Sequence, residues 1–283
     1  LQHRPTSLPV KRLPIYSISP RLAGWRIECG CTSAGSLHYP AGGGTAACYH
    51  IGVGCREAQS GGFSEELGLD QERLIEEAAI YIARAKRLVA FTGAGVSAES
   101  GIPTFRDPGG LWDRFDPLEL GGGDIFTSIF SGASVPQAAI GFVSEMVEVL
   151  ERARPNPGHY ALGELERMGI LRTVITQNID NLHREAGNTD VIEVHGNIFR
   201  LACLICGSRV MLEREELFAM GRELVEMLRN GNLQGIVGIA SKCRCGGVCR
   251  PDVVGFGEPV QDMQRAISEA QSADVLLILG TSG

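Results

Sequence analysis

From residue 64 onward the apolar positions change period several times, and the changes mark out alternating helices and strands. Leu74, Ile75, Ala78 and Ile82 recur at three- and four-residue spacing, which predicts one face of a helix over about 71–86, with Asp70 placed to cap it. Arg87-Leu88-Val89-Ala90-Phe91-Thr92 is a short apolar run and reads as a buried strand. Helical spacing returns over 137–153 and 158–168, the second opened by Pro157, a good first-turn residue. Leu171 to Thr176 predicts a strand, Asp190 to Val194 a shorter one, and 212–229 and 260–272 two more helices. Val275 to Leu279 is almost continuously apolar, as a strand buried on both faces of a parallel sheet requires. This alternation predicts an α/β protein with a doubly wound, Rossmann-like, mostly parallel sheet. Residues 1–62 are rich in Gly, Pro and Ser and hold no period; they are expected to be an irregular or disordered extension before a domain over 63–283.

Composition narrows this picture only a little. At 283 residues the chain suits one domain, or one with a small module. The formal net charge of −7 gives no support for nucleic-acid binding through a basic face and suits a basic peptide partner. No apolar run reaches the roughly 18 residues of a membrane span, so no membrane role is expected. The chain begins at Leu1 and not at methionine, as a fragment, a processed form or a mis-started reading frame would. Acidic residues are scarce before Glu57, which suits a transit peptide, but no short amphipathic signal is present, and the cytoplasm is the expected location.

Candidate chemistry begins where the first strand ends, in Gly93-Ala94-Gly95-Val96-Ser97-Ala98-Glu99-Ser100-Gly101-Ile102-Pro103-Thr104-Phe105-Arg106. Strand, glycines and a polar turn are how an α/β protein brings backbone amides against a phosphate, because glycine has no Cβ to block the approach. The spacing alone is weak evidence. Asp113 lies about 20 residues on, where a dehydrogenase keeps a ribose-binding acid, but its surroundings are loop-like. A tight glycine turn without a ligand fits this segment too.

Three later segments change the weight: Thr176-Gln177-Asn178-Ile179-Asp180-Asn181-Leu182-His183, Glu193-Val194-His195-Gly196-Asn197, and Arg250-Pro251-Asp252-Val253-Val254-Gly255-Phe256-Gly257-Glu258. In this order, with the glycine segment, they closely resemble the sirtuin family of NAD-dependent protein-lysine deacylases. The resemblance runs from about Glu65 to the end of the chain. It implies removal of an acyl group, acetyl first, from a lysine of a protein or peptide substrate. The acyl oxygen attacks C1′ of the nicotinamide ribose as nicotinamide leaves, and the resulting alkylimidate goes on to free lysine and O-acyl-ADP-ribose. On this resemblance His195 is the general base toward the ribose hydroxyls, and Asn178 and Asp180 join it as catalytic residues, Asn178 on the ribose and water and Asp180 on the nicotinamide amide. A histidine after a strand is otherwise a common core or surface residue, and Asn178 or Asp180 could simply form an Asx turn. NAD contacts are implied for Gly93, Ala94, Gly95, Ser97, Gly101, Ile102, Pro103, Phe105, Arg106, Trp112, Gln177, Asn178, Ile179 and Asp180, and for Gly280, Thr281 and Ser282. His159 and His183 fall at positions that the resemblance makes structural. Val254, Gly255, Phe256 and Gly257 resemble the strand that pairs with the substrate, with Gly255 where a bulky residue is usual. The family continues for some tens of residues beyond Ser282, so a weaker fold and weaker NAD affinity are expected of this chain. ADP-ribosyl transfer to protein, or a silent NAD- or ADP-ribose-binding zinc protein, is the alternative reading.

Five of the nine cysteines lie between Cys203 and Cys249. Cys203-x-x-Cys206 and Cys243-x-Cys245 are two close thiol pairs, thirty-six residues apart, and pairs of this kind suit tetrahedral zinc. The predicted helix at 212–229 falls in the gap, which suggests a small module over about 199–250 inserted in the main domain. The resemblance makes this zinc structural and assigns Cys203, Cys206, Cys243 and Cys245 as its ligands. Cys249 is a spare thiol and the alternative fourth ligand.

Sirtuins that prefer succinyl- or malonyl-lysine carry a Tyr-x-x-Arg pair on the helix after the cofactor loop. Here the pair would fall near Val143 and Met146, no tyrosine occurs between Tyr81 and Tyr160, and no arginine between Arg114 and Arg152. A neutral acyl group is therefore expected, with Phe142, Val143, Met146 and Val147 as the pocket wall.

Overall fold

The computed structural model describes residues 16–21, 24–29, 47–51, 64–104, 110–115, 135–232, 235–236, 243–255 and 257–281, with residues before 72 and Trp112 described by backbone alone. Five parallel strands form the central sheet in the order β3-β10-β4-β5-β6: β3 (Ala47–Ile51), β4 (Leu88–Thr92), β5 (Leu171–Thr176), β6 (Val191–Glu193) and β10 (Val275–Leu279). Side chains alternate between the two faces of these strands. Leu88 and Ala90 of β4, Leu171 and Val174 of β5 and Leu277 of β10 pack against Leu74 of α1 (Ser64–Arg84). Leu162 belongs to the same cluster and lies on a later helix, Pro157–Arg167. Val89 and Ile175 turn the other way, onto Ala266 of the helix Met263–Ser272. Helices on both faces leave the strands no solvent side, which is why they read as near-continuous apolar runs.

Among the described residues α1 is followed by α2 (Leu111–Arg114), α3 (Gln137–Arg152), α4 (Pro157–Arg167), α5 (Leu182–Glu185), α6 (Arg214–Arg229) and α7 (Met263–Ser272). A 3₁₀ turn over Ala94–Ser100 follows β4 and is ended by Gly101 at φ 84°. A second sheet is antiparallel, in the order β8-β7-β9, from β7 (Gly196–Cys203), β8 (Arg209–Met211) and β9 (Cys249–Val253). Its strands reach a few residues past both ends of the 199–250 expected for the module. The intervening α6 does not stand apart: it packs on α3, with Phe218, Phe199, Leu150 and Ile102 in one cluster and Val147 against Gly221.

The structure differs from the sequence reading at the N-terminal side. Residues 1–62 were given no structure, whereas β1 (Tyr16–Arg21) and β2 (Gly24–Cys29) pair as an antiparallel ribbon and β3 lies parallel to β10. The physical reason at β3 is the edge of β10, whose backbone groups need partners. Helix α1 starts at Ser64, so Asp70 lies inside it and is no cap. Ser64-Glu65-Glu66 opens the helix with acids at its positive end.

Register decides where function can sit. Leu279 pairs with Thr92, Thr92 with Thr176, and Thr176 with Glu193, so four strands end level with one another. Gly280, Gly93, Gln177 and Val194-His195 therefore leave the sheet along one rim. The carboxyl ends of parallel strands are where open α/β sheets bind ligands.

Candidate active site

Two glycine turns meet at this rim. Gly93 N–H donates to Leu279 O (3.0 Å) and Gly95 N–H to Gly280 O (2.8 Å). A Cβ on Gly93 would sit 2.6 Å from Thr281 Cβ, and one on Gly95 2.8 Å from Gly280 Cα. Gly280 itself has φ 61°, and its Cβ would lie 2.1 Å from Val96 N. The sequence reading had these glycines freeing amides for a phosphate. The amide of Gly93 is instead spent on the end of β10 and that of Gly95 on the turn after it, and the glycines are needed because the two turns touch. Thr281 Oγ1 donates to Gln177 Oε1 at 3.0 Å, which ties both turns to the segment after β5.

Ser97, Asn178 and Asp180 converge behind the first turn. Ser97 Oγ donates to Asp180 Oδ2 (2.6 Å), and Asn178 Nδ2 donates to Ser97 Oγ (3.0 Å) and Gly93 O (3.1 Å). Asp180 Oδ1 accepts from Leu182 N–H at 3.0 Å, so the Asx turn that the sequence allowed is formed here and opens α5. Asp180 is buried, and burial raises its carboxyl above the usual range. The adjoining Asn181 is held at φ 66°, with its Oδ1 accepting from Asn197 Nδ2 at 2.8 Å.

His195 stands on the same rim, half-buried, with Nδ1 2.9 Å from Gln177 O. A carbonyl can only accept, so this contact takes a proton on Nδ1, and the neutral ring then carries its lone pair on Nε2. Val254 N–H donates to His195 O (2.9 Å), which joins the histidine's backbone to the segment after β9. In that segment Glu258 accepts from Gly255 N–H (2.9 Å) and Arg250 (2.7 Å), closing the turn at Gly257, whose φ is 82°. Phe105, Arg106, Phe256 and Ser282 lie outside the described residues, and of Trp112 only the backbone is described. Gly101, Ile102 and Pro103 follow the 3₁₀ turn, where Ile102 is buried against Leu182 and Phe199. Ile179 lies between Asn178 and Asp180, its carbonyl accepting from Ile198 N–H at 3.0 Å.

Two histidines set aside in the sequence reading border the cluster. Asn156 and His159 form a capping box at α4, with Asn156 N–H donating to His159 Nδ1 (3.3 Å), and His159 Nε2 approaches Ser97 Oγ at 3.4 Å. The pattern Asn156-Pro157-Gly158-His159 carried that signal, with histidine where the box normally has Glu or Gln. His183 Nε2 lies 2.9 Å from Thr92 Oγ1. Burial lowers His159 to about 4 and His183 to about 3.

In the second sheet the thiols of Cys203, Cys206, Cys243 and Cys245 all lie within 4.8 Å of one another. Sulfur pairs stand at 3.6 Å (Cys203–Cys245), 3.5 Å (Cys206–Cys243) and 3.3 Å (Cys243–Cys245). A tetrahedral zinc with bonds of about 2.3 Å needs sulfurs about 3.8 Å apart, so the set fits the ion. A Cβ on Gly247 would lie 2.6 Å from Cys203 Sγ, so only glycine fits beside the thiols. Ser208 Oγ approaches Cys206 Sγ (3.1 Å) and Cys243 Sγ (3.4 Å) and holds both thiols below the usual range, Cys243 at about 6. Cys249 is buried on β9 opposite Cys203 and stands outside this group of four.

Several known proteins are similar to this chain. Residues 93–283 match the Sir2 family. An NAD-dependent protein deacylase of Desulfosudis oleivorans is 50% identical over 216 residues, 76% of this chain and 78% of the relative. One from Pyrococcus abyssi is 45% identical over 213 residues, 74% of this chain and 77% of the relative. Among solved structures, a Sir2 homologue in complex with ADP-ribose has a TM-score of 0.55 at 36% identity, covering 73% of this chain and 74% of that one. A Sir2 variant with deacetylated p53 peptide and 3′-O-acetyl ADP-ribose has a TM-score of 0.56 at 30% identity, covering 74% and 76%. The rim of level strand ends, the paired glycine turns and the four-thiol module thus have a common explanation: this chain belongs to the Sir2 family.

Proposed function

We propose that the chain removes an acyl group from protein lysine with NAD as co-substrate, giving nicotinamide and an O-acyl-ADP-ribose. The observation that carries this is the contact of His195 Nδ1 with Gln177 O, on the rim where both glycine turns end, which orients Nε2 as the ring's acceptor. His195 takes a proton from a ribose hydroxyl there. Asn178 presents its side chain toward the ribose, and Asp180 takes the nicotinamide amide, held in place by Ser97. Gly93, Ala94, Gly95, Ser97, Gly101, Ile102, Pro103, Phe105, Arg106, Trp112, Gln177, Ile179, Gly280, Thr281 and Ser282 complete the NAD site. The substrate peptide adds as a strand beside Val254-Gly255-Phe256-Gly257, supported by the link from Val254 to His195. Zinc on Cys203, Cys206, Cys243 and Cys245 is structural, because four thiolates leave no position for water. A reducing compartment such as the cytoplasm suits close thiols that must stay free for metal.

His195→Ala tests this reading. We expect loss of NAD-dependent release of free lysine from an acetyl-lysine peptide, with an unchanged circular dichroism spectrum and melting temperature. Turnover like that of the parent protein would remove His195 from the mechanism. Transfer of ADP-ribose onto protein with no loss of the acyl group would favour the alternative reaction.

A further inference from the structure

A buried ion cluster that none of these roles uses lies between His195 and the peptide segment. The side chains of Glu193 and Asp252 are only 5% and 6% exposed. Each stands two residues ahead of something the reaction needs, Glu193 before His195 and Asp252 before Val254. Arg200, on β7, bridges them. Its Nη1 donates to Glu193 Oε2 (2.9 Å), its Nε to Asp252 Oδ2 (2.5 Å) and its Nη2 to Gln261 Oε1 (3.4 Å). The remaining acceptor sites are filled too: Arg184 (2.9 Å) and Asn197 (2.6 Å) donate to Glu193 Oε1, Gln261 (2.8 Å) to Asp252 Oδ1, and Arg209 (2.7 Å) to Asp252 Oδ2.

Stability alone is a poor reason for such a cluster, since apolar residues of similar volume often serve as well. The backbone supplies a better one. The β7–β9 ladder shifts register between Asn197 and Leu201: Asn197 faces Asp252, and Leu201 faces Pro251, the next residue along β9. Residues 198–200 thus have no partner on β9, although Arg200 pairs with Met211 on the other side, and Pro251 has no N–H to donate. Backbone pairing resumes on either side of the break, but across the break itself β7 and β9 are joined through side chains. The Arg200 guanidinium spans the break, and its planar fork sets direction as well as distance.

We propose that Arg200 is a positioning residue: by bridging Glu193 and Asp252 it fixes the offset of the peptide-binding segment Val254–Gly257 from the rim that carries His195 and the NAD turns. The proposal rests on the reading that acyl peptide lies beside Val254–Gly257. Arg200→Lys keeps the charge between the carboxylates but not the fork.

The test uses the whole protein, NAD, an acetyl-lysine peptide and labelled nicotinamide. For Arg200→Lys we expect kcat/KM for the peptide to fall about tenfold or more, because misalignment by about an ångström is enough, in both deacylation and nicotinamide exchange. ADP-ribose affinity, measured calorimetrically without peptide, and zinc content should match the parent. Gln261→Met, which removes two weaker contacts to the same cluster, should shift peptide kcat/KM in the same direction by a smaller factor, and it decides alone if Arg200→Lys does not fold. Peptide kinetics like the parent's, or a parallel loss of ADP-ribose affinity, would overturn the proposal. His195→Ala serves as the control, with exchange kept and deacylation lost. If that control keeps deacylation, the reading of the site is overturned, and the proposal that rests on it falls with it.

Discussion

Ser97 donates to Asp180 across 2.6 Å, joining the turn after β4 to the segment after β5 through two buried side chains. Ser97 Oγ also accepts from Asn178 Nδ2, so one hydroxyl holds both the Asp180 and the Asn178 side chains. Removing it leaves a buried carboxylate oxygen short of a donor.

Ser97→Ala should therefore destabilise the protein by about 1–3 kcal/mol and slow nicotinamide release. Asp180→Asn in the same background should add less than it does alone, because the two residues share one interaction. Urea unfolding of both single variants and the double variant gives the coupling energy. Additive losses would mean that the hydroxyl and the carboxylate act separately.

Elemental analysis should find one zinc per chain. Cys245→Ser should lose it and Cys249→Ser keep it, because Cys249 stands outside the four mutually close thiols. Gly247→Ala should also lower zinc affinity, since its Cβ would press on Cys203 Sγ. Losing the ion should unfold the second sheet, where binding energy is folding energy. The opposite result for the two cysteines would make Cys249 the fourth ligand.

Acid should destabilise the fold through its buried histidines. Both folded-state values, about 4 for His159 and about 3 for His183, lie below the ordinary 6.5. A depressed pKa contributes stability above pH 6.5 that is lost as pH falls toward the folded value. The unfolding free energy should thus drop by several kcal/mol between pH 7 and pH 4. Asp180 runs the other way, its raised carboxyl favouring the fold at low pH. His159→Gln should flatten the acid limb in denaturant titrations at stepped pH. An unchanged slope would show that His159 does not carry the effect.

A neutral acyl group should be preferred over succinyl. Arg114, the nearest cation on the N-terminal side of the proposed wall, is paired with Glu145 and lies over Phe115. Phe142 meets Phe115 edge-on at 5.5 Å, while Met146 and Val147 turn instead to the core with Phe199 and Phe218, so only the first part of the expected wall faces away from α6. An unpaired carboxylate buried there would cost several kcal/mol. Competition among acetyl, myristoyl and succinyl forms of one peptide decides this, and comparable turnover of the succinyl form would sink it.

The sequence by itself determined the strands and helices whose apolar period is strong. Leu88–Thr92, Leu171–Thr176 and Val275–Leu279 were legible because strands covered on both faces are apolar throughout. Close thiol pairs and the order of four motifs carried the metal and the chemistry, since both depend on residue types at short spacing. Tertiary structure decided the rest. The short strands of the second sheet have weak local signals, and their pairing is long-range. Which amides of the glycine turn stay free depends on β10, more than 180 residues away. Arg184, Arg200 and Gln261 look like ordinary polar residues along the chain. Their roles exist only once separate segments bring each a partner, and a side-chain bond between distant residues leaves no periodic mark on the sequence that makes it.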